Sequence, residues 1–161
     1  MQFAELIKEF AETYDVAGLA AEDGSAALEI DGIHLEIIHT RPADAPVAGA
    51  LLVDVVLVCA EIGAEPAEGA DEFASTMLRA NFLFRGSGGG TLCQNPQTKA
   101  YALVRPFILS ALDVELFAKK LAMLVDQVER WRALLGNWRV AKEASTESVG
   151  NFIFANGFIP V

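Results

Sequence analysis

The sequence predicts an α+β fold in which three helices accompany a mainly antiparallel, twisted sheet, in the order α-β-β-β-α-β-β-α. Two observations lead to this class. Three segments repeat apolar residues at steps of three and four, whereas the stretches between them alternate in polarity or are β-branched. The predicted strands also follow one another through short turns, which favours antiparallel pairing. With 161 residues, 53% of them hydrophobic, the chain is long enough for one domain with a substantial core.

The first half of the chain predicts one helix and three strands. Residues 2–15 have apolar side chains at helical spacing. Residues 28–37 alternate apolar and polar side chains on both sides of Asp31-Gly32, a strong signal for a hairpin with a two-residue turn. Residues 51–59 are largely β-branched and apolar, which is typical of a central strand covered on both faces. We expect an acidic loop over 61–69.

The second helix is predicted over 71–84, with an apolar face broader than one core contact needs. Either this helix is deeply buried or a second apolar stripe meets another subunit. The glycines of 86–90 end it, and two strands are predicted at 91–94 and 99–109. Since Pro106 cannot donate to a β-ladder, the last strand should lie at an edge or be bulged there.

The third helix, over 113–138, is the longest and has one continuous apolar seam. The seam consists of Val114, Phe117, Leu121, Leu124, Val128, Trp131, Leu135 and Trp138. A seam this long needs a broad cover, and the strands upstream are the obvious one. A polar linker and an apolar, strand-compatible tail follow over 143–161, so the predicted organisation is one α+β domain over 1–142 plus this extension.

Charge is distributed unevenly along the chain. The net charge is −10, and residues 1–72 contain 16 acidic residues against only Lys8 and Arg41, a net −14. Such an acidic half repels phosphate backbones and anionic lipid, which argues against nucleic acid and membranes as partners. It can steer a basic partner, or it can simply be a solubilising surface.

The sequence favours a cytoplasmic location. No apolar run approaches the roughly 20 residues that a membrane-spanning helix needs, and the first residues do not resemble a signal peptide. Cys59 and Cys93 lie in apolar contexts typical of buried, reduced thiols, although a disulfide between them is an alternative.

Patterns that would indicate catalysis, a metal or a cofactor are weak. His34 and His39 are an odd number of residues apart, so on a straight strand they face opposite ways and do not form a shared metal site. The glycines of 86–90 lack the Lys-Ser/Thr of a phosphate-binding loop. We therefore expect no enzyme, no metal and no cofactor, unless residues distant in sequence converge in one pocket.

Several local patterns coincide with those of one family. They are the opening helix Phe3…Leu6-Ile7…Phe10, the hairpin at 26–32, the segment 77–82, the run Gly88-Gly89-Gly90-Thr91-Leu92 and the helix end at 129–132. Together with the order of elements, these residues make the chain, over about residues 1–140, resemble the class I type III secretion chaperones of the CesT/Tir-chaperone family.

The resemblance implies a function and two contact surfaces. Members of that family are small acidic homodimers without enzymatic activity that bind a non-globular segment of a secreted effector by strand addition and groove capture. A groove between the first helix and the first three strands implies Phe3, Ile7, Ile33, Leu35 and Ile37 as effector-binding residues. A dimer interface on the second helix implies Phe73, Met77, Leu78, Asn81 and Phe82. For each of these residues, ordinary core packing is the alternative.

The apolar tail departs from the family pattern. Its apolar residues include Phe152, Ile153, Phe154, Phe158 and Ile159. One hypothesis is that the tail occupies the effector groove as a self-ligand, in the same chain or from a neighbouring subunit. The alternative is an extra edge strand or a cover for the long helix. A second functional interpretation also stays open, a regulatory protein-interaction domain of the same fold that is unrelated to secretion.

Overall fold

The computed structural model describes residues 2–44 and 52–141, with side chains up to residue 138. Its helices are α1 (Phe3–Tyr14), α2 (Ala70–Asn81) and α3 (Val114–Ala141). Its strands are β1 (Ser25–Ile30), β2 (Ile33–Thr40), β3 (Val55–Ala64), β4 (Thr91–Gln94) and β5 (Ala100–Ile108). Short 3₁₀ turns lie at Pro42–Asp44, Phe82–Phe84 and Leu109–Ala111. The order of helices and strands is the predicted one.

The five strands form one sheet in the order β1-β2-β3-β5-β4. Pairing is antiparallel between β1 and β2, between β2 and β3, and between β4 and β5. The α+β class is therefore confirmed. The hairpin at Asp31-Gly32 is confirmed too: Ile30 lies opposite Ile33, and both turn residues have positive φ, 52° and 71°, as a type I′ turn requires.

Two expectations about the strands were wrong. The acidic loop expected from residue 61 begins as strand, because β3 continues to Ala64 with Ala60 and Ile62 buried and Glu61 exposed between them. A charged residue on the outer face of a strand resembles the start of a loop when the sequence alone is considered. In addition, the alternative that the strand with Pro106 lies at an edge was wrong, because β5 lies between β3 and β4; the other alternative, a bulge at Pro106, stays a prediction. Pro106 is tolerated because β4 pairs only with residues 101–104 of β5, so that no β4 residue lies opposite the proline.

Residues of the chain cluster into two compact units. The first contains residues up to 60 together with 105–125. In it α1 buries Phe3, Leu6, Ile7 and Phe10, and the ring of Phe10 meets that of Phe117 edge-on at 5.4 Å between centroids. The helix begins where the Gln2 N–H donates to the Glu5 carboxylate at 3.2 Å, and ends at Asp15 in the left-handed region.

The second unit contains residues 61–104 and α3 from residue 126 onward. Phe73 of α2 is at its centre, with ring centroids 5.1 Å from Tyr101, 6.0 Å from Trp131 and 5.0 Å from Trp138. The predicted seam of α3 is thus buried at both tryptophans, and its cover here includes α2 as well as strands. Both indole N–H groups are satisfied, since Trp131 donates to the Gly86 carbonyl at 3.0 Å and Trp138 to the Gly69 carbonyl at 3.1 Å.

Three expectations concern a membrane-spanning helix, a disulfide and the apolar tail. Within 2–44 and 52–141, no helix is long and apolar enough to cross a membrane. Cys59 and Cys93, both within those ranges, are half-buried and form no disulfide. The tail residues Phe152, Ile153, Phe154, Phe158 and Ile159 lie outside the described residues, so their role and the domain boundary at 142 stay predictions.

Candidate functional site

A surface groove follows the outer side of α1 in the first unit. It consists of two adjoining cavities of about 390 and 470 Å³, which share Ala4 and Ala21. We call this the α1 groove. Lys8, Ala11 and Leu19 line the first cavity, and Phe3, His39 and Asp54 line the second.

The groove results from small residues on one face of α1. Ala4, Lys8 and Ala11 recur at steps of four and three, so they share a face that the buried residues of the helix leave to solvent. Methyl side chains at Ala4 and Ala11 leave a depression beside the segment 19–21, where the buried Leu19 provides an apolar floor. A side chain that enters this depression can exclude water from apolar surface on both sides, which is the main driving force for binding.

One end of the α1 groove is polar. The His39 Nε2 lies 3.2 Å from the Asp54 Oδ2, and the imidazole stacks on the Phe3 ring at 5.4 Å and 18°. Next to this pair, the hydrogen bond from Arg41 at 2.6 Å lowers the pKa of the Asp44 carboxyl below its ordinary value, and Asp44 in turn raises the pKa of Arg41. A ligand at this end therefore meets an imidazole and a carboxylate in the groove lining, with the Arg41–Asp44 pair nearby.

A second candidate surface lies in the other unit, where α2 ends. Leu78 is 70% exposed, Phe82 67%, Leu83 66% and Phe84 57%. We call these four residues the α2 patch. Large apolar side chains exposed together mark interaction surfaces more often than single ones do.

The α2 patch is presented by a strained but firmly held turn. Leu83 and Phe84 have φ of 53° and 57°, a left-handed conformation that is costly for bulky side chains. Just beyond them, the Gly86 N–H donates to the Ala80 carbonyl at 2.8 Å. The Gly86 carbonyl accepts from Gln127 Nε2 at 2.7 Å and from the Trp131 indole at 3.0 Å. These three bonds fix the turn and keep its apolar side chains in solvent.

Comparison with known families identifies the chain. The sequence profile of the Tir chaperone protein (CesT) family matches residues 5–132. The chain belongs to this family. The resemblance inferred from the sequence is confirmed, and with it the prediction that the protein is a chaperone of the CesT type.

Two solved structures have the same fold as this CesT-family chain. A structure of the HopA1–SchA chaperone–effector complex aligns with a TM-score of 0.57 at 14% identity, covering 80% of this chain and 91% of the other. The crystal structure of the ExsC–ExsE complex aligns with a TM-score of 0.62 at 20% identity, covering 84% and 97%. Among curated protein sequences, none matches this chain.

Of the five groove residues that the CesT resemblance implied, one lines the α1 groove and four lie in the core of the first unit. Phe3 lines the α1 groove and is itself nearly buried. The other four, Ile7, Ile33, Leu35 and Ile37, are fully buried and pack inside the first unit. In the isolated chain these four side chains therefore support α1 and β2 from beneath, and their contact with an effector stays a prediction.

The implied dimer residues divide in a similar way. Phe73 and Met77 are buried in the second unit, whereas Leu78 and Phe82 belong to the exposed α2 patch. The carboxamide of Asn81 is occupied by hydrogen bonds to Leu92. The broad apolar face of α2 thus consists of one buried stripe and one exposed stripe.

Sequence reasoning missed the residues that shape both surfaces. For the α1 groove these are Ala4 and Ala11, because a search for large apolar side chains overlooks alanines, and Leu19, which lies between the predicted first helix and the predicted hairpin. The signal that was available is the spacing of Ala4 and Ala11 by seven residues on a predicted helix. For the α2 patch, Leu83 and Phe84 were counted within the helix, although the helix ends at Asn81.

Proposed function

We propose that this CesT-family protein is a cytoplasmic secretion chaperone that binds a non-globular segment of an exported effector and keeps it soluble and competent for export. The observation that carries the proposal is the α1 groove, an open, apolar-floored depression on a chain of this family. One structural neighbour is, by its description, a chaperone–effector complex, which supports the same kind of partner here. The proposed activity is binding, with no chemical step.

The edge of β1 is the proposed place for the effector backbone. Ile30 and Ile33 flank the two-residue turn and so form a hydrogen-bonded pair, and such pairs alternate along the hairpin. The bond from the His39 N–H to the Gly24 carbonyl, at 2.8 Å, continues that alternation. The backbone groups of Ala27 and Glu29 therefore point away from β2 and can pair with an added strand.

The side chains of the effector segment are proposed to be basic and apolar. Residues 1–72 have a net charge of −14, and the α1 groove lies among them apart from Leu109. A positively charged segment is attracted to such a surface over about a Debye length, roughly 8 Å at physiological salt. Small or medium apolar side chains fit the depression over Leu19, while Lys or Arg can pair with Glu12 or Asp54 at its margins.

The α2 patch is the proposed homodimer contact. Four large apolar side chains in solvent are an aggregation hazard for a monomer, and an isologous two-fold interface would bury the same patch on both copies. Phe73 and Met77 would then act indirectly, by holding α2 in place. The tail over 149–161 stays a proposed competitor for the α1 groove, in the same chain or in the partner copy.

A capture experiment tests the groove. The tagged full chain is expressed in its native host, and bound proteins are identified by mass spectrometry after mild crosslinking. We expect wild-type protein to recover an exported protein through a segment that is disordered when free. Ala4→Trp, which fills the shared part of the α1 groove, should lose it. Thr13→Trp is the matched control, because Thr13 is exposed on the same helix but does not line the groove. Equal recovery by both variants would refute the proposed site.

A further inference from the structure

We infer that the carboxamide of Asn81 closes the β4 edge of the sheet against strand addition, so that β1 is the edge left for a partner strand. The inference rests on the proposed function only in taking the added strand to come from an effector. Closure of the β4 edge itself depends on this chain alone, and its test needs no effector.

Asn81 makes the two hydrogen bonds that a neighbouring strand would make. Its Oδ1 accepts from the Leu92 N–H at 2.8 Å, and its Nδ2 donates to the Leu92 carbonyl at 3.0 Å. A residue of an antiparallel strand contacts its hydrogen-bonded partner through the same pair of bonds. The side chain of Asn81 therefore occupies the position of one residue of an added strand.

Leu92 is the residue at which this closure has the largest effect. The Asn95 N–H bonds to the Ala100 carbonyl at 2.8 Å, so alternation directs the backbone of Cys93 toward β5 and that of Leu92 and Gln94 outward. Because β4 has only four residues, Leu92 and Gln94 provide all of its outward backbone groups. With Leu92 capped, too little of the edge is left to hold a strand, which is how natural sheets protect their edges.

The β1 edge differs in this respect. Ser25 exchanges two backbone bonds with Glu22, both 2.8 Å, which closes the first outward position. For Ala27 and Glu29, the described part of the chain provides no comparable side-chain cap. The two edges of the sheet are thus unequal, and Asn81 is the specificity-determining residue that makes them so.

A disulfide between two copies of Cys93 would report whether two β4 edges have paired. If two exposed β4 edges paired antiparallel, Leu92 of one copy would bond to Gln94 of the other, and the two Cys93 residues would face each other as a non-hydrogen-bonded pair. In such pairs the Cα atoms are about 4.5 Å apart, within the range that a disulfide can bridge. Air oxidation with copper–phenanthroline would then link the two thiols, with oxygen as the oxidant.

The test compares wild type, Asn81→Ala and the control Thr76→Ala in the full chain. Thr76→Ala also removes a side-chain hydrogen bond of α2, but the Thr76 hydroxyl donates to the Glu72 carbonyl, away from β4. We expect Asn81→Ala to speed amide exchange at Leu92 at least tenfold. Under the copper–phenanthroline oxidation, Asn81→Ala should also form a covalent dimer, which should be absent in Asn81→Ala/Cys93→Ser. Wild type and Thr76→Ala should do neither.

Two results would overturn the inference. One is Leu92 exchange in Asn81→Ala that is as slow as in wild type. The other is measured on wild type, so it can be obtained even if Asn81→Ala fails to fold. In wild type, the Leu92 amide should exchange at least tenfold more slowly than the Gln94 amide. Equal exchange rates would mean that the edge is not closed. Neither measurement involves an effector, so failure here is distinguishable from failure of the proposed function.

Discussion

Replacing Gly86 by alanine should destabilise the protein severely, although it adds a single methyl group. A Cβ at residue 86 would lie 2.5 Å from the Ala80 Cβ and 3.0 Å from the Ala80 Cα. Both neighbours belong to a helix, so neither can rotate away, and the turn after α2 must move instead. That movement strains the bond from the Gly86 N–H to Ala80 and the two bonds that its carbonyl accepts from Gln127 and Trp131.

The magnitude follows from these contacts. Overpacking of a tightly packed site costs about 1–3 kcal/mol. Leaving the buried Trp131 indole N–H without its acceptor costs about 1–3 kcal/mol more. Because the turn can relax partly, we expect a total loss of about 2–4 kcal/mol in the free energy of unfolding. Urea unfolding followed by tryptophan fluorescence measures it, since both tryptophans of the chain lie in α3 of the second unit.

Gly136→Ala is the matched control. Gly136 lies inside α3, and a Cβ there would meet no atom within 4 Å. Alanine has the higher helix propensity, so this variant should gain up to about 1 kcal/mol. The reasoning would be refuted if Gly86→Ala lost less than about 0.5 kcal/mol, or if the two glycine variants changed stability alike.

Two further predictions concern exposed and half-buried side chains. Leu78→Arg should weaken the proposed homodimer at least tenfold, as measured by sedimentation equilibrium. It should change the free energy of unfolding by no more than about 0.5 kcal/mol because Leu78 is exposed. An unchanged dissociation constant would contradict the proposed role of the α2 patch. Burial raises the pKa of the Cys93 thiol, so at pH 8 iodoacetamide should alkylate Cys93 in the folded protein more slowly than in urea, and equal rates would show that the thiol is not protected.

The order of elements could be predicted because hydrophobic periodicity is a local property. The alternation around Asp31-Gly32 identified the hairpin and its turn, and the seam of α3 identified a helix that the structure extends to Ala141. The predicted end of β3 was wrong because a charged residue lies within the strand. Glu61 is charged, and so it suggested a loop, yet it occupies the outer face of β3 while Ile62 continues the buried face.

The candidate site was harder to predict because binding surfaces are formed by what the core leaves out. The family resemblance implied the isoleucines at 7, 33 and 37 as groove residues, yet all three are buried, as their hydrophobicity favours. Ala4 and Ala11 shape the groove because they are too small to fill it. Hydrophobicity therefore predicts which face of α1 is packed, and the groove is better sought on the opposite face, among small residues at helical spacing.

The same reasoning explains why the sequence of α2 did not show which of its apolar residues are buried and which are exposed. Phe73 and Leu78 are both large and apolar, and nothing local distinguishes the stripe that packs on Trp131 from the stripe in solvent. Asn81 illustrates the limit most clearly. The family resemblance implied Asn81 as an interface residue. Asn81 does bind a backbone edge, but that of β4 in its own chain, eleven residues later. Contacts of this kind depend on how the chain folds back, so a prediction of partner surfaces has to begin with the hydrogen bonds that the fold has already used.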